Sequence, residues 1–458
     1  MKVKIRKSWF SDFILAYSFA AATIFLFYKA NNIKNGTYML ALFSAMVKTF
    51  VMVEVLGMIE KSVKKQHISG ATVFLLVSIL YNQNSILKYA VDCLYDGSID
   101  NNALRLIGDI YVSVIIFIGV LVWKKVHKAN KEFNLLENER FMPEFKINKL
   151  LLWMILFAYL IVQAYFLIKQ NTLVTNAGSR SLNTVFSALE YICFALVVIN
   201  VKKVNGKYVL SSFVPICVLG IFLVLATVIL GTKQVIIRPA IVIACGLVYQ
   251  NKLSIKKMKY FIYASPLLLQ GITNLSELVS GRFSEYPALW VLRYHVFRYD
   301  LSDLAMTFAV HFSKSLYKWG VVKEAFCYSL PKFLYDKKLD VLPMYNANVK
   351  SIGLEGYPMD YNDTVFSFGA QIGGGIGILL AFILIVLFHE WISRKIVRIN
   401  KMGSIILMVL FGYFSYVESD LFMFFYLTRD TVVYLILAGL LLKIILRRKK
   451  EKRTKIYG

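Results

Sequence analysis

Residues that form cross-links or bind metal ions are scarce in this chain. It has 5 cysteines and 5 histidines among 458 residues, and the cysteines form neither a CxxC pair nor a zinc-ligand spacing. Disulfide bonds and a zinc site are therefore not expected. Acidic residues are also few, since 27 Asp and Glu stand against 53 Lys and Arg and leave a net charge of +26.

Charge is almost missing from long stretches of the sequence, which are apolar. The chain is 58% hydrophobic with a mean hydropathy of +0.60, and its apolar runs approach the roughly 20 residues that a helix needs to cross a bilayer. A water-soluble core could not bury this much apolar surface. The composition predicts an all-α, polytopic integral membrane protein. A nucleic-acid partner is not needed, because anionic membrane lipids account for positive charge in short loops.

The Lys and Arg residues are placed regularly between the apolar runs. Most of the 53 fall in every second gap, beginning with Lys2, Lys4, Arg6 and Lys7 and ending with a cluster from Lys443 to Lys455. By the positive-inside rule these gaps face the cytoplasm. The pattern therefore predicts a multi-pass chain with both termini in the cytoplasm.

Twelve apolar runs are predicted to be transmembrane helices, and they form one transmembrane domain over residues 1–458. Most connections are short, but residues 281–364 form a long loop on the predicted outer side. Its apolar residues between Pro287 and Phe312 approximate helical spacing, so we expect amphipathic helices at the membrane interface. The predicted spans are 9–28, 38–59, 70–90, 106–123, 150–168, 184–200, 209–230, 234–250, 260–279, 366–390, 403–418 and 426–446.

A minority of the cations fall on the predicted outer side, and these are candidate anion ligands. Arginine matches phosphate oxygens with its planar fork and remains protonated when it is desolvated, so a group of arginines is suited to a lipid diphosphate. Arg238 lies inside an apolar stretch, where a charge needs a partner or a bound anion. Any one of these cations could instead reach water at the interface or form a surface ion pair. The candidates are Arg180, Lys233, Arg238, Arg282, Arg293 and Arg298.

Two residues of the long loop are candidates for a general base. If the stretch that ends at Asp300 is helical, Arg293 and Asp300 lie along one face, and His295 is close in sequence. Either Asp300 or His295 could take a proton from an attacking hydroxyl, while arginine stabilises charge on a departing diphosphate. Asp300 could instead be a helix N-cap, because Asp303 follows it at the N3 position, and His295 could be an interfacial histidine.

Some polar residues and a glycine cluster lie within predicted spans. Charges such as Lys48, Glu54 and Glu190 are costly in a bilayer and are usually paired, so we expect tertiary partners; an ion path in a transporter is the alternative. The glycine-rich segment 367–377 opens the predicted span 366–390. It lacks the Lys-Ser/Thr of a phosphate loop, so we expect close helix packing or a flexible cavity wall.

Several local features occur in a characteristic order. Gly231-Thr232-Lys233 precedes a span with an intramembrane arginine, and the large late outer loop carries further arginines and the sequence LPKFLY at 330–335. DTVFSFG at 363–369 then leads into the glycine-rich helix, and YLTRD follows at 426–430. This order resembles the Wzy-type polymerases of bacterial O-antigen and capsule repeat units over most of the chain, although relatives often have arginine at the position of Lys233.

The resemblance implies a GT-C-like glycosyltransferase of the bacterial cytoplasmic membrane that acts on the outer face without a metal or a nucleotide sugar. It would transfer a glycan from undecaprenyl diphosphate to a lipid-linked repeat unit through an oxocarbenium-like state. The six candidate cations would hold diphosphates, and Asp300 or His295 would be the base. The implied partners are undecaprenyl diphosphate-linked oligosaccharides, membrane lipids and a chain-length regulator.

Two alternatives to a polymerase stay open at this point. An O-antigen ligase shares much of the architecture, but its His-x-x-Asn arrangement is not found in the long loop. A lipid-linked oligosaccharide flippase would direct its cations into a central cavity through the membrane instead of gathering them in one outer loop.

Overall fold

The computed structural model describes residues 103–128, 145–146, 148–170, 180–204, 207–230, 234–249, 365–399 and 447–448, with single residues within 43–58, 69–78, 275–278, 323–334 and 436–440. These residues are mostly helical, as the composition predicts. They belong to two compact units. The first unit comprises Met1–Asn130, Ile255–Ile392 and Phe414–Arg429, and the second comprises Lys131–Ser254, Ser393–Tyr413 and Asp430–Gly458.

Six helices in this part of the chain have both ends defined, and each coincides with a predicted apolar span to within several residues. Every residue described within the predicted spans 38–59, 70–90, 260–279 and 426–446 is also helical. The predicted spans 9–28 and 403–418 lie outside the described residues. The helices are α1 (Ala103–Lys128), α2 (Lys149–Gln170), α3 (Arg180–Asn200), α4 (Val214–Leu230), α5 (Gln234–Tyr249) and α6 (Val365–Ile399).

In the described part of the chain, four two-residue strands form two small antiparallel pairs. The first strand pairs with the fourth. This pairing connects the segment before α2 to the C-terminal segment of the same unit. The second and third strands form a hairpin between α3 and α4. They are β1 (Phe145–Lys146), β2 (Lys203–Val204), β3 (Lys207–Tyr208) and β4 (Arg447–Arg448).

Side-chain caps fix the start of two helices. The Asn148 side-chain oxygen accepts from the backbone N–H of Leu150 at 3.1 Å, so Asn148 caps α2. Ser69 and Thr72 cap each other's backbone: the Ser69 hydroxyl oxygen accepts from the Thr72 N–H at 3.2 Å, and the Thr72 hydroxyl oxygen accepts from the Ser69 N–H at 3.1 Å. These bonds satisfy N–H groups that have no partner within a helix.

Among the residues that the structure describes, two helical segments are long and apolar enough to cross a membrane, judged by length and composition. They are Lys149–Lys169 within α2 and Ile372–Trp391 within α6. Helix α4 is also apolar but is shorter, with 17 residues. About 20 helical residues match a hydrocarbon core of about 30 Å, so both longer segments reach the required length.

Helix α2 is apolar on its buried face and on its exposed face. Leu152, Leu156, Tyr159 and Leu167 are buried together with Gln163. The opposite face exposes a continuous stripe in which residues recur every three or four positions, as expected for one side of a helix. The stripe consists of Leu150, Met154, Phe157, Ile161, Tyr165 and Ile168.

Helix α3 has three neighbours among the described helices of the second unit. It packs against α2, α4 and α5, while α4 also packs against α2 and α5. Every residue from Ile192 to Asn200 is buried, which is the expected result for a helix with neighbours on several sides.

The lysine hairpin, residues 202–208, connects α3 to α4 and is tied down by side chains at its base. The Asn200 side-chain amide donates to the Ser212 carbonyl at 3.0 Å. The Ser212 hydroxyl donates to the Val209 carbonyl at 2.6 Å and accepts from the Lys202 backbone N–H at 3.0 Å. These bonds satisfy backbone groups that the turn leaves outside regular structure.

Helices α1 and α6 of the first unit run in the same direction. The Tyr111 hydroxyl donates to the Gly375 carbonyl at 2.5 Å. Further along both helices, Gly119 lies against the ring of Phe382, and a Cβ added to Gly119 would be 2.5 Å from Phe382 Cε1. Because the contacts advance by 8 residues on α1 and 7 on α6, the two helices are parallel.

Helix α6 is not the uninterrupted span that the sequence predicts over 366–390. Its backbone leaves helical geometry at Gly373 (φ −154°, ψ 28°) and at Gly374 (φ 60°, ψ −142°). The Phe366 and Phe382 rings stack with centroids 5.4 Å apart, whereas 16 residues of straight helix would separate them by about 24 Å. The half-helix Val365–Ile372 therefore folds back along the rest of α6.

Candidate functional site

The structure describes the backbone of two of the predicted diphosphate ligands. Arg180 is the first residue of α3, and Arg238 lies in the second turn of α5. Both belong to the second unit. The other candidates, Lys233, Arg282, Arg293, Arg298, His295 and Asp300, lie outside the described residues.

The relative direction of α3 and α5 decides where Arg180 and Arg238 lie. Val198 and Val201 near the end of α3 form a buried cluster with Leu247 near the end of α5, and Phe213 and Ile216 at the start of α4 pack against it. A Cβ added to Gly246 would be 3.0 Å from the Val198 side chain. Helices α3 and α5 are therefore parallel, and α4 returns between their ends.

Arg180 and Arg238 consequently lie away from the lysine hairpin. Arg180 precedes Val198 by five turns, or about 27 Å along α3, and Arg238 precedes Gly246 by about 12 Å along α5. The lysine hairpin follows directly after the opposite end of α3. Within the second unit, the candidate anion ligands and the hairpin lysines are thus separated along the helix axes.

The sequence around Arg238 modifies the start of α5. Pro239 lies inside the helix and is buried, and proline has no N–H to give to the carbonyl four residues earlier. The Val235 carbonyl therefore receives no helical N–H from position 239. Arg238 lies next to this irregular turn, one turn after the helix begins.

The fold-back of α6 brings glycine backbones into direct contact. A Cβ at Gly369 would be 2.6 Å from Ile378 Cα, and a Cβ at Gly377 would overlap the Gly369 carbonyl oxygen. Only residues without a Cβ permit this approach. Of the two expectations for the glycine-rich segment, close packing is the one that the structure shows, and it occurs between the two arms of one broken helix.

A row of packed rings, here called the aromatic column, extends from the fold-back within the first unit and consists of Phe366, Phe382, Phe74 and His389. Phe382 contacts Phe366 on one side and Phe74 on another, with the Phe74 and Phe382 centroids 5.3 Å apart. Phe74 also stacks on the His389 ring at 5.4 Å. His389 and Glu390 are both buried, so the column ends at ionisable groups inside the protein.

Sequence reasoning missed Tyr111 and Gln163 as residues of interest. Tyr111 lies within a predicted span, and nothing in its sequence neighbourhood indicates that its hydroxyl meets a broken helix 264 positions later. Gln163 could have been found, because an amide side chain in the middle of the apolar run 150–168 requires hydrogen-bond partners.

The described residues contain no group of three or more His, Cys, Asp or Glu side chains that could hold a metal ion. Comparison of the chain with protein-family models, curated proteins and solved structures found no match.

Proposed function

We propose that this chain is a polysaccharide polymerase of the bacterial cytoplasmic membrane with about twelve transmembrane helices. It transfers a glycan from undecaprenyl diphosphate to a lipid-linked oligosaccharide repeat unit on the outer face. The donor's diphosphate is itself the leaving group, so the reaction needs no nucleotide sugar, and the candidate cations take the place of a metal ion in neutralising its charge.

A position in the bilayer is supported by the surface of α2. Its exposed stripe from Leu150 to Ile168 consists almost entirely of apolar side chains, and water is a poor environment for such a surface. Hydrocarbon removes this cost. The two segments of spanning length, Lys149–Lys169 and Ile372–Trp391, support the same interpretation.

The observation that carries the functional proposal is the separation of cations within the second unit. The lysine hairpin lies at one end of the helices, and Arg180 and Arg238 lie toward the other. If the hairpin is cytoplasmic by the positive-inside rule, the arginines are on the outer side. Arginines near the outer surface are suited to the diphosphate of a lipid whose chain stays in the membrane.

The proposed chemistry divides two tasks between the outer residues. Arg180, Arg238, Arg282, Arg293 and Arg298, with Lys233, bind the diphosphates and stabilise the charge that develops on the leaving group. Asp300 or His295 accepts the proton of the sugar hydroxyl that attacks the anomeric carbon. The attacking oxygen forms the new glycosidic bond as the bond to the diphosphate breaks.

The test is deletion of the gene followed by analysis of the surface glycan. A polymerase deletion should remove long chains while single repeat units still reach the surface, and wild-type protein should restore the long chains. The Arg180→Gln and Arg238→Gln variants should restore them poorly. The exposed lysine variant Lys202→Gln is the matched control, and it should restore them fully.

A flippase is the second candidate, and the broken helix α6 favours it. Transporter sites are commonly built from discontinuous membrane helices, and Gly373 and Gly374 interrupt α6 within a segment of spanning length. Deletion of a flippase would leave lipid-linked units inside the cell and remove all repeat units from the surface. That outcome would reject the polymerase in favour of transport.

A further inference from the structure

The lysine hairpin presents a cation beside an apolar side chain on its outer face. Val204 and Lys207 pair directly across the two strands, and residues opposite each other in an antiparallel pair have their side chains on the same face. Both side chains are exposed. Tyr208, the next residue, points to the other face and packs against Phe213, with ring centroids 5.4 Å apart. One face of the hairpin therefore attaches it to the protein, and the face with Lys207 is directed away.

An exposed apolar stripe on α4 continues directly from the hairpin. It begins at Leu210, just before α4, which is 83% exposed. Its members recur every three or four residues, so they lie along one side of the helix, whereas Leu219 and Leu223 on the other side are buried. The part from Val214 to Ile229 is about 22 Å long. The α4 stripe consists of Leu210, Val214, Cys217, Ile221, Leu225 and Ile229.

The segments around Lys207 supply no carboxylate. The sequence has no Asp or Glu between Glu190 and Glu277, a range that includes the end of α3, the hairpin, α4 and α5. These elements therefore cannot neutralise the lysine. An anion that approaches the hairpin meets no negative charge from them.

The backbone that carries Lys207 is fixed next to the α4 stripe. The bonds of Asn200 and Ser212 tie the base of the hairpin, and the Val209 N–H closes it by donating to the Lys202 carbonyl at 3.1 Å. Ser212 is buried. Because the backbone is already ordered, little further conformational freedom is lost when a ligand binds.

We propose that Lys207 and the α4 stripe form a binding site for a single anionic phospholipid. The lysine ammonium pairs with the phosphate of the lipid, and an acyl chain lies along the apolar side chains from Leu210 onward. Charge complementarity favours this partner over a zwitterionic lipid, which fits the stripe but has no net negative charge. The inference goes beyond the proposed function, since it requires a position in the bilayer and not glycan transfer.

The headgroup contact is tested by the affinity for two lipids. Full-length, delipidated protein in detergent micelles is titrated with phosphatidylglycerol or phosphatidylcholine, and bound lipid is counted by native mass spectrometry. Lys207→Gln should weaken binding of phosphatidylglycerol about fivefold, the effect expected of one lysine at a membrane surface. It should leave phosphatidylcholine unaffected, and Lys207→Arg should retain the wild-type affinity. Equal affinity of the wild type for the two lipids would overturn the proposal.

The matched control is Lys149→Gln. Lys149 is an exposed lysine at the start of α2, but Glu137, Glu139 and Glu144 shortly precede it in the sequence. Its loss should change the affinity for phosphatidylglycerol little, and a loss equal to that of Lys207→Gln would show an unspecific charge effect and overturn the site. Inorganic phosphate is a separate probe. Competition by phosphate at the concentration of the lipid would identify a free-anion site and reject the lipid.

The acyl-chain contact is tested through Cys217, the exposed cysteine of the α4 stripe. In a variant that keeps only this cysteine, a fluorophore on Cys217 is measured in lipid nanodiscs. Phosphatidylglycerol with a nitroxide on its acyl chain should quench it more than phosphatidylcholine with the same label, and Lys207→Gln should remove the difference. Cross-linking of Cys217 to Cys217 of a second copy would instead identify α4 as an interface between copies and overturn the lipid assignment.

Discussion

At the scale of single residues, two adjacent glycines of α6 have different requirements. Gly374 has a positive φ of 60° with ψ −142°, a region of backbone conformation that is essentially restricted to glycine. Gly373 has an extended φ of −154°, and a Cβ there would meet no atom within 4 Å. The fold-back therefore depends on one glycine of the pair for its backbone conformation.

Gly374→Ala should destabilise the protein by about 1–3 kcal/mol because alanine resists this conformation. Gly373→Ala is the matched control and should change stability little. The measurement is the thermal unfolding midpoint of each variant in detergent micelles. Equal midpoints for the two variants would contradict the assigned role of Gly374.

Tyr111 contributes a single hydroxyl to the break in α6. Tyr111→Phe removes the donor to the Gly375 carbonyl and retains the ring, so we expect a loss of about 1 kcal/mol. Tyr165→Phe alters an exposed tyrosine on the apolar stripe of α2 and should be neutral. Chemical denaturation of both variants measures the difference, and a neutral Tyr111→Phe would mean that the carbonyl is satisfied in another way.

At the scale of elements, the two arms of α6 can approach each other closely because the residues at their contact are glycines without side chains. A Cβ on Gly377 would overlap backbone atoms of Gly369, and backbone cannot rotate away as a side chain can. Gly377→Ala should therefore cost about 1–3 kcal/mol and separate the Phe366 and Phe382 rings.

The control for this element is a glycine in open space. Gly220 of α4 has no atom within 4 Å of an added Cβ, and alanine favours helix over glycine by about 0.5–1 kcal/mol. Gly220→Ala should thus stabilise the protein slightly. A cysteine pair at positions 366 and 382 provides a second measurement, because it should cross-link in the parent protein and fail to cross-link when Gly377→Ala is added.

The sequence predicts elements better than the contacts between them. The apolar runs around α2 and α5 define these helices to within a few residues, because hydropathy depends on local composition. The break at Gly374 could not be predicted, since a glycine cluster allows either close helix packing or reversal of the chain. Which one occurs depends on Tyr111 and Phe382, which lie on distant parts of the sequence.

In the candidate site, too, the sequence predicts single residues better than the contacts between helices. The apolar surroundings of Arg238 indicate that it needs a partner, and the burial of Glu190 follows from its predicted span. The levels at which Arg180 and Arg238 lie along α3 and α5 depend on the packing of Val198 against Gly246. Sequence spacing within either helix contains no information about this contact.

At the scale of the whole molecule, the charge pattern predicts which helix ends face the cytoplasm. In a variant that lacks the native cysteines, a cysteine at Val204 in the lysine hairpin should react with a membrane-impermeant maleimide only after cells are permeabilised. A cysteine at Leu230, at the far end of α4, should react in intact cells. The reverse pattern would move Arg180 and Arg238 to the cytoplasmic side and reject the polymerase proposal.

The folded-back α6 also constrains the order of assembly during synthesis. The half-helix Val365–Ile372 is about 12 Å long, far less than the roughly 30 Å of a hydrocarbon core, so it cannot insert as a span by itself. Its partner Phe382 is synthesised later, whereas Tyr111 and Gly119 on α1 are synthesised much earlier. Tyr111 and Gly119 are therefore already present when Ile372–Trp391 is synthesised, and the half-helix Val365–Ile372 can reach its final position only after Phe382 has joined the chain.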